Sequence, residues 1–209
     1  YTNGSEPTTN IADDHRLRNT DYVEQVGGIW QVKAGFIDPT TGRIVSGLLV
    51  FAGTQRNDSI TEDILGNRTT TTNNQLFSIR RQSARVRETS SVAQTVSVDG
   101  ALSTSQTRLG YSYTDGTETA AQLALTDYVD GAGNLKASFN GGNGRMLVGL
   151  IKAARELAVT YTDPIAGQTS QSFDGAVTTA TDLSGARTLT RVATTYQILH
   201  NQTRSTEAL

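Results

Sequence analysis

The sequence predicts a mainly β chain: a single antiparallel β-sandwich or barrel-like domain, with one amphipathic helix at about residues 144–158 and extended arms at both ends. Three observations lead there. Short alternating apolar and polar segments recur between turn-forming Gly, Asn, Asp and Pro residues. Threonine, serine, glutamine and asparagine occupy positions that charge would hold elsewhere, and threonine suits a half-exposed sheet because it is β-branched and tolerates water. Only residues 144–158 carry convincing three-and-four spacing.

Taken in order, residues 1–19 are polar, with Pro7 and Asp13-Asp14, and read as an arm. Residues 29–37 and 43–52 read as strands joined by Asp38-Pro39-Thr40-Thr41-Gly42, where Pro suits the second turn position and Gly a positive φ. The apolar run 45–51 places the second of these strands centrally. Residues 53–75 are polar without a period and read as a long loop or an extended hairpin tip; such a length calls for a functional role such as clasping a neighbour. Strands are expected at 76–86, 91–98 and 108–114, a weak helix at 118–128, a turn at 130–134 and a short strand at 135–139. In the expected helix, Leu147, Leu150, Ile151, Ala154, Leu157 and Ala158 share a face opposite Lys152, Arg155 and Glu156, with Asn143 as N-cap. A short extension at 159–161, a turn at Pro164 and Gly167, strands at 171–178 and 187–199 and a tail at 201–209 complete the reading. No repeat of fixed period and no Gly/Ser linker is visible, so residues 20–200 are expected to form one β-rich domain.

Composition narrows the function. Of 209 residues 36% are hydrophobic, which makes a thin core, yet 18% charged residues at a net charge of −2 is too little charge for a disordered chain. Stabilisation by neighbours is the remaining route. The absence of cysteine excludes a disulfide framework, a thiolate metal site and a thiol nucleophile. Lys33, Lys136 and Lys152 are the only lysines among 18 basic residues, and the arginine that makes up the rest favours planar interface contacts. A pI near 5.7 gives no global pull toward nucleic acid, and no apolar run is long enough to span a bilayer. A first residue Tyr1 in place of Met implies proteolytic maturation or trimming.

Catalytic chemistry finds little purchase. The two histidines, His15 and His200, lie in end segments without metal-ligand spacing. The glycine-rich 140–145 segment lacks the Lys-Ser/Thr of a phosphate loop and reads as a turn into the helix. No catalytic residue, cofactor or metal ligand is expected. Arg80, Arg81, Arg85 and Arg87 form the densest positive cluster, and on one strand Arg81, Arg85 and Arg87 would share a face. Without interleaved aromatics this suits an inter-subunit surface better than nucleic acid. Trp30 reads as buried, and Tyr111 and Tyr113 as cross-strand packing. Four glycosylation sequons begin at Asn3, Asn57, Asn67 and Asn201.

The expectation is therefore a self-assembling structural subunit. Its first form is a bacteriophage virion protein (tail, connector or capsid-associated). The alternative is an exported subunit of an extracellular filament, pilus or surface layer at the cell surface, and the third form a carbohydrate-binding module. The expected partners are copies of itself and other structural proteins. The candidate inter-subunit contacts are Ile11, Leu17, Arg56, Arg68, Arg80, Arg81, Arg85 and Arg87.

Overall fold

A computed structural model describes residues 1–141, 144–165, 167 and 170–208. Half of the chain is in strands, and among the described residues no helix reaches seven residues. In chain order the strands are β1 Val23–Val26, β2 Ile29–Val32, β3 Thr54–Glu62, β4 Arg68–Arg80, β5 Ser83–Val96, β6 Leu102–Tyr113, β7 Ile151–Glu156, β8 Ala158–Tyr161, β9 Gln171–Asp174, β10 Ala176–Thr181, β11 Arg187–Val192, β12 Thr194–Leu199 and β13 Gln202–Ala208. Seven of them form one antiparallel sheet ordered β11-β10-β6-β5-β4-β3, with β7 beside the second half of β6. The others form three hairpins: β1-β2, β8-β9 and β12-β13.

The chain divides into two compact units, residues 1–54 with 77–86 and residues 55–76 with 87–209. The first unit has one core, in which Ile11, Leu17, Tyr22, Val32, Ile44 and Ile79 are buried. The second has two, one around Leu123, Tyr128, Met146 and Ile198 and one around Val159, Tyr161 and Val177.

A motif occurs twice, once in each unit. Tyr1-Thr2-Asn3-Gly4-Ser5-Glu6 matches Tyr113-Thr114-Asp115-Gly116-Thr117-Glu118, Thr20-Asp21-Tyr22-Val23 matches Thr126-Asp127-Tyr128-Val129, and Gly42-Arg43-Ile44 matches Gly144-Arg145-Met146. The hydrogen bonds match as well. The hydroxyl of Thr2 donates to Val45 O and that of Thr114 to Leu147 O, both at 2.6 Å. Thr20 and Thr126 each donate to the carbonyl three residues back and accept the N–H two residues on. Tyr22 OH donates to Leu49 O at 2.9 Å and Tyr128 OH to Ile151 O at 2.8 Å. Their rings meet Phe36 and Phe139 at centroid distances of 4.7 and 4.6 Å. In each copy an Asp carboxylate accepts a backbone N–H from a hairpin turn, Arg81 on Asp21 and His200 on Asp127. Segments of different length separate the matched residues, so the duplication has no fixed period and a search for one misses it.

Several expectations are corrected here. Residues 144–158 form no helix: Gly149 adopts φ 88°, and β7 runs through 151–156 paired to β6. A short apolar run fits either period, and sheet pairing decides it. The N-cap expected at Asn143, and Gly142 before it, lie outside the described residues. Residues 118–128 contain a 3₁₀ turn, Ala120–Leu123, and no longer helix. The N-terminal segment is no free arm, because Thr2, Ile11 and Leu17 are buried in the first unit. The tail beyond 201 is β13. The segment 53–75 is two long strands, β3 and β4, in agreement with the extended-hairpin form of that reading and not the loop. The Asp38–Gly42 turn stands, closed by Gly42 N–H on Asp38 O, but its flanks meet through one bridge, Ile37 to Ile44.

Candidate functional site

The large sheet is bounded by β3 on one side and β11 on the other. Every residue of β3 is exposed, and β11 is exposed except at Leu189 and Val192. An edge strand carries a row of backbone N–H and C=O groups that its own sheet leaves unpaired. Proteins commonly blunt such edges with proline, a bulge or a cover; β3 contains no proline and runs for 9 residues. Along it, Arg56 pairs with Asp58 at 2.9 Å, and the Thr72 hydroxyl on β4 donates to Asp58 at 2.7 Å. The Thr72 hydroxyl, followed by Arg56, holds the Asp58 carboxyl below its ordinary range.

At one end of this sheet lie three turns of one design. Asp63 N–H donates to Asn67 O, Ser97 N–H to Ala101 O and Asp182 N–H to Ala186 O, with Gly66, Gly100 and Gly185 at positive φ. Each is a five-residue loop in which glycine takes the left-handed position. Asp63 and Asp182 also accept N–H groups within their turns, and both titrate below the usual carboxylate range, chiefly through the Asn67 and Ser184 side chains. The tips are apolar and exposed at Ile64, Leu65, Val98 and Leu183. They are also close-set: a Cβ on Gly66 would sit 2.9 Å from Val98 Cγ2, and one on Gly100 3.3 Å from Leu183 Cδ2. An apolar cluster of this kind marks an interaction site more often than chance exposure does.

The residues named from sequence fall in different places. Ile11 and Leu17 are withdrawn as inter-subunit contacts, since both fill the first unit's own core. Arg56 and Arg68 are exposed on the β3–β4 hairpin. Arg85 and Arg87 share a face of β5, but Arg81 does not join them: it sits in the β4–β5 turn at φ 50°. Arg80 lies at the end of β4, its guanidinium donating to Ile79 O. Of the sequon asparagines, Asn3 accepts from Ser5 and Asn57 is exposed on β3. Asn67 donates its amide to Asp63, and Asn201 accepts Ile151 N–H at 2.7 Å, so both are structurally employed. Trp30 is half-buried with the Arg18 guanidinium 4.1 Å above its ring.

For acid–base or metal chemistry the geometry offers little. His15 Nδ1 caps a 3₁₀ turn by accepting Leu17 N–H, and His200 is 90% exposed in the β12–β13 turn. Among the described residues no group of three or more His, Cys, Asp or Glu is placed to hold a metal ion. Shallow depressions in the second unit include one of about 370 Å³ beside Glu118 and Met146 and one of about 510 Å³ between Arg87, Tyr111 and Arg155. Glu118, a deeply buried carboxylate beside the first of these, is held by Lys152 at 3.0 Å and by two backbone N–H groups, an arrangement that holds a loop.

No family model, curated protein or solved structure matches this chain.

Sequence reasoning missed the apolar tips and the free edge at β3, because 53–75 was read without a period. The usable signal was the recurrence of Asp-x-x-Gly at Asp63, Asp130 and Asp182, each a turn, flanked by strands at Asp63 and Asp182 and by the single bridge Val129 to Leu135 at Asp130.

Proposed function

We propose that this protein is a self-assembling structural subunit of a bacteriophage virion, as a tail, connector or capsid-associated component, and that it works without catalysis. The observation that carries the reading is the large sheet, in which the outer sides of β3 and β11 pair with no strand among the described residues and exposed apolar residues gather at the tips. Such features burden an isolated molecule and serve one that is covered by neighbours. The thin apolar composition supports it too, since a chain with 36% hydrophobic residues gains by completing its core through association. The carbohydrate-binding form draws less support: among the described residues the exposed aromatic rings are Tyr1 and Phe51, and the Arg16 guanidinium lies 5.3 Å over the latter.

The test is the mass distribution of the native protein across a concentration series, by light scattering with negative-stain microscopy. Rings, tubes or closed shells of regular symmetry are the expected result. Long unbranched fibres would move the assignment to an exported filament, pilus or surface layer. A monomer at every concentration would end the structural reading.

A further inference from the structure

The two free edges of the sheet carry mirrored sequences. On β3, residues 58–62 read Asp-Ser-Ile-Thr-Glu, and on β11, residues 187–191 read Arg-Thr-Leu-Thr-Arg. Each is charge, hydroxyl, apolar, hydroxyl, charge, acidic on one edge and basic on the other. Because side chains alternate across a strand, Asp58, Ile60 and Glu62 share one face of β3, and Arg187, Leu189 and Arg191 one face of β11.

The backbone agrees with the side chains. In β10–β11 the turn bond from Asp182 N–H to Ala186 O is followed by the pair Thr181 and Arg187. Hydrogen-bonded and non-bonded pairs alternate in an antiparallel ladder, so Arg187, Leu189 and Arg191 direct their N–H and C=O groups away from β10. The same turn in β3–β4, closed by Asp63 N–H on Asn67 O, directs the N–H and C=O groups of Glu62, Ile60 and Asp58 away from β4. Neighbours in this sheet are antiparallel, and the even number of strands in the β11-to-β3 path makes β3 and β11 run in opposite directions. A second copy placed beside the first in the same orientation therefore presents its β11 antiparallel to β3.

We infer that copies of this chain join edge to edge, β3 of one against β11 of the next, with Glu62 opposite Arg187, Ile60 opposite Leu189 and Asp58 opposite Arg191. The inference rests on the self-assembly reading and names its contact. Each of these pairs exchanges both of its N–H···O bonds, and between them Thr61 meets Thr188 and Ser59 meets Thr190. The backbone permits slips of two residues only. A slip one way sets Glu62 against Leu189 and Ile60 against Arg191; a slip the other way sets Ile60 against Arg187, Asp58 against Leu189 and Arg56 against Arg191. Both place charge on apolar groups, so the side chains select the stated register. Neither arginine meets a carboxylate among the described residues: Arg187 donates to Pro164 O, and Arg191 reaches Tyr161 OH. The contact is heterologous, so it propagates into a ring or a helical stack as sheet twist dictates.

A chain without cysteine makes the test direct. Within one molecule Ser59 and Thr190 lie on opposite edges, about 24 Å apart at the usual strand spacing, so they cannot be bridged internally. The double variant Ser59→Cys/Thr190→Cys should give a ladder of covalent multimers under mild oxidation, and each single variant at most a dimer. As a second measurement, Glu62→Arg and Arg187→Glu should each raise the concentration needed for assembly about tenfold, and mixing the two should restore it, since each then meets its complement. Far-UV circular dichroism of each variant controls for folding. Wild-type assembly without the ladder, a ladder from Ser59→Cys/Thr188→Cys instead, or variants that assemble like wild type would overturn the pairing and leave self-assembly standing. A wild type that stays monomeric would remove both.

Discussion

The two copies of the motif hold the same backbone with the same polar residues, and they differ in what surrounds those residues. In the second copy Lys152 reaches Glu118, whose side chain is 1% exposed. The matched residue in the first copy is the buried Val50, and Glu6 is only half-buried. In the second copy Asn201, at φ 59°, turns its side chain inward to Ile151 N–H and Tyr128 OH. In the first, Gln82 stands at the same place at φ 56° and is exposed. The lesson is that Thr, Asp, Tyr and Gly specify this motif by satisfying backbone groups, while the residues that pack around them are free to change.

Substituting the first copy's residue into the second sharpens that contrast most. Lys152→Val leaves a buried carboxylate without its cation, and breaking such a pair costs about 2 to 3 kcal/mol when one partner is partly exposed. Adding Glu118→Gln should recover only part of this, because it removes the buried charge but leaves one amide oxygen for the Asp115 and Gly116 N–H groups, which the carboxylate accepts on separate oxygens. Urea unfolding of the two variants measures both; equal stability for Lys152→Val and wild type would show the ion pair to be incidental.

A smaller effect should have opposite signs in the two copies. Glycine at either left-handed turn position relieves strain, which favours Gln82→Gly by about 0.5 to 1 kcal/mol. Asn201→Gly gains the same relief but strips the acceptor from Ile151 N–H, for a net loss of about 1 kcal/mol. Hydrogen exchange at Ile151 should accelerate in the second variant alone. Stabilisation by both substitutions would mean the Asn201 side chain contributes nothing beyond its conformation.

The same contrast explains what the sequence disclosed. The β class and its turns were legible because Asp-x-x-Gly and Asp-Pro-x-x-Gly act locally, through side chains that accept N–H groups two to four residues on. The cores were not, because Tyr22, Leu49 and Ile79 meet only after the chain returns from β4, and no local period announces that. The false helix at 144–158 has the same origin: Leu147 and Leu150 belong to a loop clamped by Thr114, a residue far away in sequence. The edges went unread as a pair because β3 looked like loop, although β11 was expected as a strand within 187–199. Their mirrored charges matter only once both lie at the margins of one sheet.

The smallest effect is one the copies share, and it appears with pH. Desolvation, helped by the charge of Asp21, pushes the Tyr22 hydroxyl up to about 12, and desolvation with Asp127 pushes Tyr128 higher still. An unfolded tyrosine titrates near 10. A group whose folded pKa is raised binds its proton more tightly in the native state, so its contribution is complete below about 10 and is lost as pH climbs through the folded value. Stability should be level up to about pH 9.5 and then fall. Between about pH 10 and 11.5 either tyrosine keeps its proton in the folded chain and loses it in the unfolded one, so Tyr22→Phe and Tyr128→Phe should each fall less steeply than wild type, and by the same amount. Urea midpoints from pH 8 to 11.5, read beside tyrosinate absorbance, decide it; a variant that falls as steeply as wild type would mean that the hydroxyl it lacks ionises in the folded chain as readily as in the unfolded one.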